Sequence, residues 1–123
     1  KRVIMPGYRS DLKEIFSAMD IFIYPSLEKD TSPLALLSAI SAGLPAIVSN
    51  IRSLEEVVEL CSAVDVFDLT NWDELLSLIA KYEVEDIRIK NGKKNKETGK
   101  MYFDIATHSD KMMKILNLNL SGQ

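Results

Sequence analysis

Four polar side chains lie within one five-residue stretch of the sequence: Glu28, Asp30, Thr31 and Ser32. Carboxylates accept hydrogen bonds from sugar hydroxyl groups, and short hydroxyl side chains both donate and accept them. Pro33 follows at once and is favoured in the first turn of a helix. Backbone N–H groups at a helix start bind anions. The stretch therefore predicts a site for a ligand that carries both phosphate and hydroxyl groups.

A second stretch with similar properties lies near the start of the chain. Gly7 allows a tight turn, and Tyr8 and Arg9 then lead to Ser10, a residue type favoured at helix starts. A helix that begins there would direct its N–H groups at a bound anion, as in the first stretch. Two adjacent helix starts predict a ligand site more specifically than one.

Each of these residues also has an interpretation without a ligand. Aspartate is common in turns, and Ser32 would cap its helix whether or not a ligand bound. We favour ligand binding for Asp30 because a predicted helix start lies beside it, and we leave both interpretations open for Glu28. For Thr31 and Ser32 the backbone amides are better candidates than the hydroxyl groups. Tyr8 and Arg9 could simply be surface residues.

The composition is that of a soluble domain. The 123 residues are 46% hydrophobic and 7% aromatic, which fits one globular core. A net charge of −3 and a pI near 5.2 argue against a nucleic-acid partner. The single cysteine, Cys61, cannot form an intramolecular disulfide, which predicts a reducing, cytoplasmic location. The longest apolar stretch, residues 34–48, is too short and too interrupted to cross a bilayer.

Four short apolar runs predict strands: residues 3–5, 21–24, 46–48 and 64–67. Such runs are typical of a parallel sheet that is covered on both faces. Segments with the apolar spacing of a helix separate them. The alternation predicts an α/β fold, a Rossmann-like doubly wound parallel sheet of about four strands with flanking helices. Ligands of such folds bind beyond the carboxyl ends of the strands.

Four residues precede predicted helices: Ser10, Ser32, Ser53 and Asn71. Ser53 and Glu56 have the spacing of a capping box, in which each side chain bonds a backbone N–H of the other residue. Gly43, with Pro45 two residues later, predicts a left-handed helix end. These signals set the expected helix boundaries.

The last third of the chain lacks the strand and helix alternation. Residues 91–100 are polar and contain two glycines, which predicts a solvated connection or a frayed helix. We therefore favour solvation of its lysines over contact with anionic lipid or nucleic acid. Residues 104–120 resume helical spacing and are predicted to form a terminal helix. His108 has no acidic or cysteine neighbour that would suggest a catalytic or metal-binding role.

Three segments in this order closely resemble the C-terminal domain of family-4 (group 1) glycosyltransferases: residues 6–12 (PGYRSDL), 20–28 (DIFIYPSLE) and 33–49 (PLALLSAISAGLPAIVS). Such enzymes have two facing Rossmann-like domains, the glycosyltransferase-B fold, and the C-terminal domain holds the nucleotide-sugar donor. The resemblance implies that residues 1–123 are part of one such domain, without its first strands, in a longer protein. The chain alone is expected to be inactive.

The resemblance also implies roles for individual residues. The family has two glutamates with seven residues between them, of which the first faces the donor sugar and the second contacts the nucleotide ribose. The second position is Ser38 here, and the first is Asp30, or Glu28 if the loop carries an insertion. Sugar and phosphate oxygens would be bound by the backbone N–H groups of Thr31, Ser32 and Leu34, which surround Pro33 at the start of the predicted helix. Gly7, Tyr8 and Arg9 would border the nucleotide.

The resemblance thus predicts the donor-binding part of a retaining, metal-independent hexosyltransferase. It implies a nucleotide-diphosphate sugar as donor substrate, no cofactor, a glycan or lipid-linked acceptor and an N-terminal domain of the same protein, and it allows peripheral membrane contact through other regions. Because Ser38 lacks a carboxylate, a non-catalytic module that acts as a scaffold or recognises a glycan is the alternative. An unrelated doubly wound nucleotide binder would lack the ordered motifs.

Overall fold

The computed structural model describes residues 3–27 and 33–120, with the backbone alone for residues 117–120. Three parallel strands form its sheet in the order β1 (Phe22–Tyr24), β2 (Ala46–Ser49) and β3 (Val64–Phe67). All four residues of the central strand β2 are buried. Three of the four predicted strands are therefore confirmed.

The fourth predicted strand, at residues 3–5, is wrong. Val3, Ile4 and Met5 have no strand pairing and are 73%, 85% and 90% exposed. A short apolar run becomes a strand only when its backbone groups pair with a neighbouring strand. No strand of the described residues lies alongside this run, so the apolar pattern alone does not produce one.

The described part of the chain contains six α-helices: α1 (Leu12–Ser17), α2 (Leu34–Ala42), α3 (Glu55–Leu60), α4 (Trp72–Lys81), α5 (Glu85–Thr98) and α6 (Ile105–Leu120). A 3₁₀ turn (Arg52–Leu54) precedes α3, and a π-helical turn (Gly99–Phe103) joins α5 to α6. Successive strands are thus connected through helices, as parallel pairing requires.

Helices cover both faces of the sheet. Val48 of β2 packs in one buried cluster with Leu36 and Ile40 of α2. Its neighbour Ile47 points to the opposite face, where it packs with Leu75 of α4 and Tyr82. Successive residues of a strand face opposite sides, so one strand serves both clusters. This arrangement confirms the α/β, Rossmann-like fold with parallel strands and flanking helices.

The predicted helix ends are partly confirmed. Asn71 Oδ1 accepts a hydrogen bond from Glu74 N at 3.2 Å, as expected of a helix cap, and Gly43 has the left-handed φ of 88° that ends α2. The Ser53 capping box is wrong, because Ser53 lies inside the 3₁₀ turn and α3 starts after it without a side-chain cap. α1 starts one residue later than Ser10 predicts, and Ser32 lies outside the described residues.

The predicted solvated connection at residues 91–100 is also wrong, because most of it belongs to the regular helix α5. Three small or polar residues of this stretch, Gly92, Asn95 and Gly99, are buried. Asn95 Nδ2 donates to the carbonyl oxygens of Leu44 at 2.8 Å and Ala63 at 3.1 Å. The helix is held by close backbone approach and by these hydrogen bonds, which a search for apolar spacing does not detect.

Candidate functional site

The carboxyl ends of the three strands meet at one edge of the sheet because the strands are parallel. At this edge Ser49, 1% exposed, donates its hydroxyl to the carbonyl oxygen of Ser26 at 2.7 Å. A buried hydrogen bond of this kind holds the segment after β1 against the end of β2. This bond therefore fixes the backbone at Ser26, just before the predicted ligand loop.

Four of the predicted ligand residues, Glu28, Asp30, Thr31 and Ser32, lie outside the described residues and stay predictions. The far end of their loop is described. Pro33 is the N-cap residue of α2, and its carbonyl accepts the Leu37 N–H at 3.0 Å. Leu34, the first residue of the helix, is 68% exposed. The start of α2 is therefore accessible at the end of the loop.

Ser38 lies one turn further along α2 and is exposed. Its hydroxyl donates to the carbonyl oxygen of Leu34 at 2.8 Å, within the same helix. Serine in a helix often makes this bond to the residue four positions earlier. The hydroxyl proton is thus used locally, so Ser38 presents an uncharged oxygen acceptor to any ligand.

The stretch at Gly7 turns as its sequence predicts. Gly7 has a left-handed φ of 77°, and the following Tyr8 is 96% exposed. Arg9 donates through Nε to Asp11 Oδ1 at 2.7 Å and through Nη2 to Asp11 Oδ2. This two-bond contact raises the pKa of Arg9 and lowers the pKa of Asp11.

Asp11 was not singled out by its sequence position, although an acid two residues after an arginine was a usable signal. Its carboxylate holds the Arg9 guanidinium beside the start of α1 rather than capping the helix. Both side chains stay substantially exposed. The arginine therefore remains accessible to a ligand that competes with Asp11.

A wide groove of about 1090 Å³ runs between α1 and α2 on one side and the π-helical turn and α6 on the other. Leu34 and Ser38 line it together with Leu12 of α1, whereas Gly7, Tyr8 and Arg9 do not. Of the six predicted ligand residues that the structure describes, two therefore line this surface, and the other four, including Pro33, do not. The apolar spacing of residues 104–120 was the sequence signal for the groove's far wall.

Other reactive side chains of the described residues have structural roles. Cys61 is 2% exposed, and burial raises the pKa of its thiol to about 11, so it behaves as a core residue. Asp65 accepts hydrogen bonds from the Tyr82 hydroxyl at 2.6 Å and from Lys81 Nζ, which ties α4 to β3. Burial, followed by the Asp65 contact, raises the pKa of Tyr82.

Neither a metal centre nor a membrane span is found in residues 3–27 and 33–120. No group of three or more histidine, cysteine, aspartate or glutamate side chains converges there. No helix of this part is long and apolar enough to cross a bilayer.

Comparisons with known proteins show that the chain matches one protein family. The family model described as "Glycosyl transferases group 1" matches residues 1–79, which include all three strands and both predicted ligand stretches. The chain is 33% identical over 115 residues to a UDP-Gal:alpha-D-GlcNAc-diphosphoundecaprenol alpha-1,3-galactosyltransferase of Escherichia coli. The alignment covers 91% of this chain and 29% of that relative. No solved structure matches the chain significantly.

Proposed function

The chain belongs to the group 1 glycosyl transferases, and from that premise we propose that it is the donor-binding part of a hexosyltransferase. The donor is a nucleotide-diphosphate hexose, and the acceptor is a lipid-linked sugar. The observation that carries this proposal is the family match over residues 1–79, since that range contains the sheet edge at which doubly wound folds bind ligands.

The site geometry supports a role in binding the donor diphosphate. The start of α2 is exposed, and the first N–H groups of a helix bind anions with the help of the helix dipole. The backbone N–H groups of Thr31, Ser32 and Leu34 would stabilise the charge that develops on the leaving diphosphate. Asp30 would orient hydroxyl groups of the sugar. Retention of configuration and independence from metal ions come from the resemblance to the family.

The acceptor class comes from the relative in E. coli, whose name states a diphosphoundecaprenol-linked GlcNAc acceptor and UDP-Gal as donor. The present chain spans less than a third of that relative's length. We therefore propose that an N-terminal domain of the same protein supplies the acceptor-facing catalytic groups. UDP-galactose is the first donor to test.

One observation favours a second candidate, a glycosyltransferase-like module without catalytic activity. Ser38 occupies the position of the family's ribose-binding glutamate and carries no charge. Its hydroxyl donates a hydrogen bond to the carbonyl oxygen of Leu34. A neutral hydroxyl forms weaker hydrogen bonds than a carboxylate does. Such a module would keep the fold and lose the affinity for the donor.

Calorimetric titration of the protein with its complete donor domain, using UDP-galactose, UDP and GDP, separates the two candidates. The Ser38→Glu variant is expected to bind UDP-galactose about tenfold more tightly, because it restores a charged acceptor for two ribose hydroxyl groups. Ser77→Glu is the matched control: it makes the same substitution at an exposed serine of α4, which lies outside the groove and away from the start of α2. Its affinity for UDP-galactose should stay within about twofold of the parent chain.

The outcomes are distinct. Binding by the parent chain and a gain in Ser38→Glu alone would support a donor site at the start of α2. Equal gains in both variants would indicate a general charge effect and contradict the ribose assignment. Absence of binding to all three nucleotides in the parent chain and in Ser38→Glu would favour the non-catalytic module.

A further inference from the structure

One arginine lies at the sheet edge where the three parallel strands end. Arg52 is exposed and begins the 3₁₀ turn that follows the central strand β2. The described segments that directly follow β1 and β3, residues 25–27 and 68–71, contain no lysine or arginine. Within the described residues of these three segments, Arg52 is therefore the cation that an anionic ligand would meet.

The backbone on either side of Arg52 is held in the core. Ile51 precedes it and Leu54 follows it within the turn, and both are buried. The N–H of Leu54 donates to the carbonyl oxygen of Ile51 at 3.0 Å. One residue earlier, the N–H of Asn50 donates to the carbonyl oxygen of Phe67 at 2.8 Å. An exposed side chain on a fixed backbone has less freedom to lose when it binds a ligand.

The turn also lies beside the start of the predicted ligand loop. Ser49, the last residue of β2, donates its hydroxyl to the carbonyl oxygen of Ser26 at 2.7 Å. The turn at Arg52 follows Ser49 closely in sequence, and residues 28–32 follow Ser26 just as closely. Both segments leave the sheet at the edge where doubly wound folds bind their ligands. Arg52 therefore lies near the point from which the ligand loop leaves the sheet.

The other arginines that the structure describes are already engaged. Arg9 donates to Asp11, and Arg88 donates to two backbone carbonyl oxygens. The guanidinium of Arg52 makes no hydrogen bond or ion pair with any described residue. It keeps its N–H donors available, in a planar fork that matches two phosphate oxygens.

We propose that Arg52 binds the diphosphate of the nucleotide-sugar donor, an inference that rests on the function proposed above. The guanidinium would bond two phosphate oxygens and add a full positive charge to the backbone N–H groups proposed at the start of α2. Sugar hydroxyl groups and a neutral base offer no charge to an arginine, so the diphosphate is the part of the donor that it fits. The contact belongs to the donor site and requires no second ligand.

Calorimetry on the protein with its complete donor domain tests this contact with four ligands: UDP-galactose, UDP, uridine and inorganic pyrophosphate. Arg52→Gln should weaken the binding of UDP-galactose and of UDP about tenfold, because it removes a charge-assisted contact. Uridine has no phosphate, so its affinity should be the same in Arg52→Gln and in the parent protein. A merely structural role of the arginine would weaken all of these ligands alike.

Two further variants sharpen the test. Arg52→Lys keeps the charge but loses the fork of donors, so it should recover only part of the affinity for UDP. Lys93→Gln removes the same charge from the exposed surface of α5 and should bind every ligand like the parent protein. The urea midpoints of all three variants should match that of the parent, because each substituted side chain is exposed.

Unchanged UDP binding in Arg52→Gln would overturn the assignment and leave the proposed donor site standing. An equal loss in Lys93→Gln would also overturn it, since the effect would then be one of general charge. A loss for uridine as large as that for UDP would place Arg52 at the nucleoside instead of the diphosphate. Pyrophosphate that binds as tightly as UDP would indicate an anion site unrelated to the donor. Absence of nucleotide binding in the parent protein would refute the proposed function and this inference together.

Discussion

The two ends of α2 are built in opposite ways. At its C-terminal end the helix meets α5 through backbone atoms: a Cβ built on Gly92 would lie 2.4 Å from the carbonyl oxygen of Gly43. One built on Gly99 would lie 2.6 Å from Ser41 Cα. At its N-terminal end the helix starts with an exposed leucine that faces the groove. One end is thus fixed by contacts that exclude side chains, and the other end presents side chains to solvent.

Polar groups differ between the two ends in the same way. Asn95 is fully buried and holds two carbonyl oxygens of distant segments, Leu44 and Ala63. On the exposed side, the hydroxyl of Ser38 bonds Leu34 within the same helix, and the guanidinium of Arg9, which lies outside α2, bonds Asp11 two positions away. A ligand can displace local, exposed hydrogen bonds at little cost, whereas buried ones hold the fold. The buried contact with α5 therefore holds the fold, while the start of α2 is accessible to a ligand.

The largest effect is expected from Asn95→Asp. The new carboxylate would be buried beside the carbonyl oxygens of Leu44 and Ala63, which cannot donate a hydrogen bond to it. We expect a loss of about 3–5 kcal/mol in the free energy of unfolding at pH 7, typical of an unpaired buried charge. Urea unfolding followed by circular dichroism measures this loss.

Asn71→Asp is the control, because it makes the same chemical change at a helix cap where aspartate is equally favoured. The effect of Asn95→Asp should depend on pH. Burial raises the pKa of the introduced carboxyl in the folded state, so the loss is largest at neutral pH and shrinks as the pH falls towards about 4. Below that pH the remaining loss is that of one hydrogen bond, because a protonated carboxyl donates one where the amide donates two. If the two variants were equally stable at pH 7, Asn95 would not be one of the residues that hold the contact between α2 and α5.

A smaller effect is expected from Gly92→Ala. Alanine favours helix by about 1 kcal/mol over glycine, yet its Cβ would collide with backbone atoms of Gly43. We expect a net loss of about 1–3 kcal/mol in urea unfolding because α5 must move away from α2. Gly7→Ala is the contrast, since no atom lies within 4 Å of the added Cβ and only the left-handed backbone opposes it. A stabilised Gly92→Ala variant would contradict the close backbone contact.

The same comparison explains which parts of the fold could be predicted from the sequence. The strands at Ile23, Ile47 and Val66 follow from apolar runs, and the turns at Gly43 and Asn71 follow from local backbone preferences. These features depend on nearby residues, so a single sequence contains their signals.

The α5 contact and the groove depend on distant residues, and so they could not be predicted. Gly92 and Gly99 look like loop residues until the backbone of α2 is placed beside them. The predicted capping box at Ser53 was also wrong. Its spacing fits a helix start, but Ser53 lies inside the 3₁₀ turn that precedes α3. Of the candidate site, the order of the motifs predicted the family, while the ion pair of Arg9 with Asp11 emerged only from the structure.

The smallest effect on stability is expected from Asp11→Asn, which removes the counterion of Arg9 at the accessible side of the molecule. The urea midpoint should not change measurably, because exposed ion pairs contribute little to folding. If Arg9 borders the nucleotide, its guanidinium becomes free to bind phosphate, and UDP should bind several-fold more tightly in calorimetry. The gain should shrink as salt is raised, since the new contact is exposed to solvent.

Arg9→Gln supplies the opposite change and should weaken UDP binding by a similar factor while keeping the same urea midpoint. The double variant Arg9→Gln/Asp11→Asn distinguishes competition from a general charge effect. If Asp11 acts only by occupying Arg9, its removal has no effect once the arginine is absent, and the double variant binds UDP like Arg9→Gln. A gain that persists in the double variant would mean that Asp11 repels the phosphate directly, and competition between Asp11 and the nucleotide for Arg9 would be refuted.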